Sequence, residues 1–126
     1  MHAIDFSEEA LKRLNYFCKK QNLEVETDLV DLSVDDVFTD LNKYDVIIIN
    51  HYRLDPKLYS KLIDCLNTGG FLWINGFREV PNDNPNITKS DILSDKDFLS
   101  LCNYKLYNKK NYEIDNRKFV RYMWQK

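Results

Sequence analysis

The chain reads as an α/β protein whose mixed sheet closes in an antiparallel hairpin, and three features predict this. Short apolar runs alternate with segments of helical periodicity. Two of those runs, Val46-Ile47-Ile48-Ile49 and Phe71-Leu72-Trp73-Ile74, are continuously apolar, the pattern of strands covered on both faces. Near the C-terminus, two tyrosine-rich runs flank the turn signal Asp115-Asn116-Arg117.

Taken in order, Met1 to Asp5 reads as a short strand. Ser7 can cap the next helix, and Glu8 and Glu9 fall where the helix dipole favours negative charge. Ala10, Leu14 and Phe17, with Leu11 and Cys18 beside them, make an apolar helical face, and Asn22 is the exit residue. Leu23 to Val30 alternates apolar and polar side chains, as an exposed strand ending at Asp31 does. Ser33 to Leu41 reads as a short helical turn, and Tyr44 to Asn50 as a central strand.

Asp55-Pro56 is an N-cap followed by proline at the first helical position. Leu58, Leu62, Cys65 and Leu66 form that helix's buried stripe, and Gly69-Gly70 ends it before the strand Phe71 to Asn75. Gly76 to Lys89, rich in Pro, Asn and Asp, is a long loop. Asp95 to Leu101 is a short helix. Tyr104 to Ile114 and Lys118 to Trp124 are the hairpin strands.

The 126 residues make a single domain, 1–126, with room for a core. Charged residues at 30% and apolar ones at 44% are ordinary globular usage. A net charge of −2 argues against nucleic-acid binding through bulk positive charge. Cys18, Cys65 and Cys102 are widely spaced and the only histidines are His2 and His51, so no metal site is expected and the cysteines read as free thiols. No apolar run reaches membrane-spanning length. The expected location is cytoplasmic.

With its residues in that order, the chain resembles the class I S-adenosylmethionine-dependent methyltransferases, most of all the small domains of the tellurite-resistance type. The resemblance rests on Ile4-Asp5-Phe6-Ser7-Glu8-Glu9-Ala10-Leu11, on Asp31-Leu32, and on Tyr44-Asp45-Val46-Ile47-Ile48 followed by Asn50-His51. It continues through Leu66-Asn67-Thr68-Gly69-Gly70-Phe71-Leu72-Trp73 and Gly76-Phe77. It implies a three-layer Rossmann-like sandwich. It also implies that Asp5, with Phe6 beside it, holds the ribose hydroxyls of S-adenosylmethionine, a task suited to a carboxylate that only accepts hydrogen bonds. Asp31 would then accept from the adenine amine, with Leu32 against the ring. Asn50 and His51 would stand near the methyl group and the acceptor, a small molecule or a protein.

Each position also has a plain structural reading. Asp5 can help to cap the helix with Ser7, Asp31 can be a solvated loop residue, and His51 can be a packing histidine. The sequence departs from the family in one major respect. Its three glycines are at 69, 70 and 76, so the glycine-rich loop expected before Asp5, and the strand that leads to it, are not found within these 126 residues. Three accounts are expected: a truncated form, a homodimer or partner chain that covers the missing-strand edge, or a non-catalytic interaction subunit that has lost the cofactor. A dinucleotide-dependent oxidoreductase shares the acidic strand tip but fits Asn50-His51 and the hairpin less well. The gap is expected to close by pairing of Met1–Asp5 with Tyr44–Asn50, or else by a second chain.

Overall fold

The structure, a computed structural model, describes residues 1–34, 38 and 43–126. These fall in two compact units, Met1–Thr39 and Asp40–Lys126, each described here by itself.

In the first unit, β1 (His2–Asp5) leads into α1 (Glu8–Lys20) and then β2 (Glu26–Leu29). Ser7 caps α1 by accepting from the Ala10 N–H, while Glu8, Glu9 and then Lys19, Lys20 complement the two ends of the helix dipole. Asn22 takes a left-handed conformation (φ 55°) just beyond the helix, the role expected of it. β1 and β2 pair in parallel, His2 opposite Glu26 and Asp5 opposite Leu29. Leu11 and Cys18 are the buried residues of α1, whereas Phe17 and Ala10, expected on the same face, are exposed. The apolar stripe is broader than a two-stranded sheet can cover. β2 is also shorter than the expected run Leu23–Val30. Most of the expected helical turn at Ser33–Leu41 lies outside the described residues.

The second unit is a four-stranded mixed sheet in the order β3-β4-β6-β5, with β3 at Tyr44–Asn50, β4 at Leu66–Phe77, β5 at Lys105–Ile114 and β6 at Arg117–Gln125. β3 and β4 are parallel, with Val46 opposite Phe71 and Ile49 opposite Ile74. β6 is antiparallel to both β4 and β5. The expected hairpin turns on Asp115 and Asn116, both with positive φ, the conformation of a type I′ connection.

One face of this sheet carries Leu72, Ile74, Val120, Tyr122 and Trp124, all buried. Against it lie α2 (Tyr59–Asp64) and the 3₁₀ segment Asp95–Leu101. Phe98 is the centre of that packing, its ring 4.5 Å from Tyr122, 5.0 Å from Tyr59 and 6.1 Å from Trp124. Truncating Leu72 or Ile74 to alanine would cost about 2–5 kcal/mol at such sites. Asp55 does cap a Pro56-led turn, which runs as 3₁₀ through Leu58 before α2 begins. The expected stripe Leu58, Leu62, Cys65 and Leu66 is buried.

Three expectations are corrected. Gly69-Gly70 does not end the helix, which stops at Asp64; both glycines lie inside β4. A Cβ on Gly70 would come within 2.8 Å of the Asp45 carbonyl and 2.9 Å of that of Asn67, so the strand passes there only as glycine. Among the described residues β3 is not central in its hydrogen-bonded sheet but an edge, with Val46 53% and Ile48 57% exposed. Finally, the expected pairing of Met1–Asp5 with Tyr44–Asn50 is not among the strand pairs of the described residues, in which β1 pairs with β2 and β3 with β4.

Candidate functional site

The sequence-predicted residues fall into two sets, Asp5, Phe6, Asp31 and Leu32 in the first unit and Asn50 and His51 in the second.

Asp5 ends β1 and is half-buried. Its Oδ1 accepts from the Ser7 N–H at 2.8 Å, an Asx-type bond that helps start α1. Phe6 follows it with its ring exposed. Asp31 is exposed just after β2, and its Oδ1 accepts from the Ser33 N–H (2.9 Å) and the Ser33 hydroxyl (2.6 Å). The hydroxyl first, and the backbone N–H second, hold its carboxyl below the ordinary carboxylate range. Leu32 is half-buried between them in sequence. Both carboxylates are thus ionisable acceptors engaged by a neighbour two residues on.

The second set is built differently. Asn50 is the last residue of β3 and lies opposite Asn75 of β4. Asn75 is buried (5% exposed), its Nδ2 donating to Asn50 Oδ1 at 2.8 Å. The Tyr112 hydroxyl, on β5, donates to Asn75 Oδ1. This relay fixes the Asn50 amide with its oxygen inward, so that its Nδ2 donor is the group left for a ligand.

His51 follows with φ 54°, a left-handed conformation uncommon for a non-glycine residue. Its N–H donates to the Asn75 carbonyl at 2.8 Å, which holds that turn. The exposed imidazole lies beside two aromatic rings, Phe119 at 5.3 Å edge-on and Phe77 at 5.7 Å. Phe119 in turn stacks on Tyr112 at 5.3 Å. Two residues on, Arg53 clamps the segment: its Nε and Nη2 bind the Asp97 carboxylate at 3.1 and 2.7 Å, and its Nη1 the Ser90 carbonyl at 3.2 Å. The buried Asp97 also accepts from the Ser94 N–H at 3.0 Å, and the carboxylate holds the guanidinium pKa up.

Sequence reasoning missed Asn75, Tyr112 and the Phe77–Phe119 pair. Asn75 was visible only as a polar residue ending an apolar run, and its partners come from strands far away in sequence.

The described residues fit a nucleoside cofactor in part. Asp5 and Asp31 supply acceptors of the kind that ribose hydroxyls and an exocyclic amine need. The three glycines all lie inside β4, Gly70 against the Asp45 and Asn67 carbonyls and Gly76 against the Leu93 side chain, and form no glycine-rich loop for the methionine end. Among the described residues no three His, Cys, Asp or Glu side chains gather as a metal site, and no helix is long and apolar enough to cross a membrane.

No protein-family model and no curated protein matches the sequence. Solved structures match in fold. TehB from Haemophilus influenzae is 19% identical, with a TM-score of 0.74 over 99% of this chain and 49% of that one. An S-adenosylmethionine-dependent methyltransferase from Clostridium acetobutylicum is 12% identical, with a TM-score of 0.66 over 98% of this chain and 74% of that one. Coclaurine N-methyltransferase, solved with N-methylheliamine and SAH, is 12% identical, with a TM-score of 0.69 over 99% of this chain and 60% of that one. The chain spans about half the length of the TehB structure. Its fold is the Rossmann-like α/β fold of these structures.

Proposed function

We propose that this chain is a methyltransferase-like domain of the small, tellurite-resistance type that binds the adenosine end of S-adenosylmethionine. The observation that carries the reading is the relay Tyr112–Asn75–Asn50, which orients an amide at the C-terminal end of a parallel strand, the end where open α/β sheets bind ligands. In this reading Asp5 accepts from the ribose hydroxyls and Asp31 from the adenine amine, with Phe6 and Leu32 as apolar neighbours. Asn50 donates to a small-molecule or protein acceptor, and the imidazole of His51 is available to take a proton from it. When bound, the cofactor would supply an electrophilic methyl group. Its methionine end would need backbone from outside these 126 residues.

The second reading is a non-catalytic interaction module. The Ser7 and Ser33 bonds favour it, because they give both carboxylates a structural use. Titration calorimetry with S-adenosylmethionine and with its demethylated product separates the two. Micromolar binding that disappears in Asp5→Ala supports the first reading. No heat from a folded sample overturns it and leaves the second.

A further inference from the structure

The chain leaves the sheet at Phe77, the last residue of β4, and comes back to it at Leu93, whose N–H donates to the Phe77 carbonyl at 3.0 Å. A surface loop closed at its root in this way, and braced by its own bonds, is frequently a working part. Its two limbs are held by different means.

The returning limb is anchored. Asp91 accepts from the Thr88 N–H at 2.8 Å and gives its own N–H to the Thr88 carbonyl at 3.0 Å, which builds the turn Lys89–Asp91. The Ser90 carbonyl accepts from Arg53 at 3.2 Å, and that guanidinium is fixed in turn by its two bonds to the buried Asp97 carboxylate. A buried pair of this kind is little screened by salt.

The outgoing limb is tied to the β5–β6 hairpin by side chains at the surface. The Arg78 N–H still continues the ladder, donating to the Lys118 carbonyl at 2.9 Å. Beyond it, Asp83 Oδ2 accepts from Arg117 Nη2 at 2.8 Å and from Nε at 3.1 Å. Glu79 accepts from Lys118 at 2.9 Å, with the Arg78 guanidinium farther off at 3.6 Å. Arg117 and Lys118 hold these two carboxyls below the ordinary carboxylate range. All four side chains of the two pairs are 37–59% exposed, so salt weakens both. Between the pairs, Pro81 is buried but has no N–H with which to bond the hairpin.

We propose that Glu79–Asp83 is a releasable strap, freed from the hairpin when its two ion pairs part, while the returning limb stays docked on Arg53. The hinges are Arg78, where the ladder ends, and Asn84, where internal structure resumes. There the Asn84 Oδ1 accepts from the Asn86 N–H at 3.0 Å and its carbonyl accepts from the Ile87 N–H at 3.2 Å. The strap begins two residues beyond Phe77, whose ring is 5.7 Å from that of His51, so it adjoins the acceptor end of the site. That placing, and not the release itself, rests on the function proposed above.

Amide nitrogen relaxation on the whole chain tests this without any cofactor, so the outcome stands apart from the calorimetry. At about 0.01 M salt, where screening sets in only beyond roughly 30 Å, Val80, Asn82 and Asp83 should be as ordered as Thr88–Asp91, with order parameters near about 0.85. At about 1 M salt, where the screening length is roughly 3 Å, the first three should fall below about 0.6 and Thr88–Asp91 should not change. Glu79→Gln with Asp83→Asn should loosen the strap in the same way at low salt. Exchanging the charges, Asp83→Arg with Arg117→Asp, should keep it ordered there. A strap that stays ordered with both carboxylates neutralised, or that is already mobile at low salt, would overturn the proposal. A charge exchange that leaves it mobile, or loosening that spreads through Thr88–Asp91, would do so as well.

Discussion

The strand ends of the two units solve the same problem in opposite ways. In the first unit, Asp5 and Asp31 each bond a serine two residues along the chain, so their geometry is set locally. In the second, Asn50 is held by Asn75 and through it by Tyr112, partners 25 and then 37 residues apart in sequence. The segment beyond His51 is held likewise by Asp97, 44 residues from Arg53. A local bond fixes a turn; a long-range relay fixes a side chain to the whole sheet. The second arrangement can hold a donor in place for a ligand, and it makes that donor sensitive to any change in the sheet.

That contrast can be broken most directly at the Arg53–Asp97 clamp. Asp97→Ala leaves a half-buried guanidinium without its carboxylate and uncaps Ser94, and should destabilise the protein by about 3 kcal/mol. Urea unfolding, with an unchanged slope, measures it. Asn75→Ala is next: it strands the Tyr112 hydroxyl and frees Asn50, at about 2 kcal/mol. It should also broaden the Asn50 side-chain amide resonances, whereas Asp5→Ala should leave them sharp.

The local bonds should matter less. Asp5→Ala removes one partly exposed bond at the start of α1 and should cost no more than about 1 kcal/mol, whatever it does to cofactor binding. Asn116→Gly relieves one left-handed residue in the hairpin turn and should stabilise by about 0.5–1 kcal/mol in the same assay.

The smallest expected effect is one of pH. The Lys109 ammonium, and then the Tyr122 hydroxyl, hold the exposed Asp95 carboxyl below its ordinary 3.8. A carboxyl with a depressed folded pKa contributes its full stabilisation above the unfolded value and loses it as pH falls through the folded one. The urea midpoint should therefore fall as pH drops below roughly 4, and Asp95→Asn should flatten that limb. An equal slope in the variant would show that the pair is idle.

What was legible in the sequence is what short-range chemistry controls. Ser7 and Asp55 start helices, Asn22 ends one, Asp115-Asn116 turns the hairpin, and two β-branched or aromatic runs pair as parallel neighbours. Asn50 and His51, at the end of such a run, are singled out only through the resemblance. Their partners could not be named, since Asn75 and Tyr112 meet them only when strands far apart in the chain are laid side by side.

The same limit explains the errors. A run of four β-branched residues suits a strand buried on both faces and an edge strand equally well; which it becomes depends on the strands that pair with it, and among the described residues β4 alone does. Gly69-Gly70 carries a helix-ending signal, yet the close approach of the Asp45 carbonyl makes Gly70 part of a strand. The sequence by itself determined the order of elements and the residues that start and stop them, because caps, turns and periodicity act within a few residues. Only the tertiary structure decided which strand lies at the edge, which amide is buried, and which side chains form the relay, because those depend on pairing between segments whose contact no local pattern encodes.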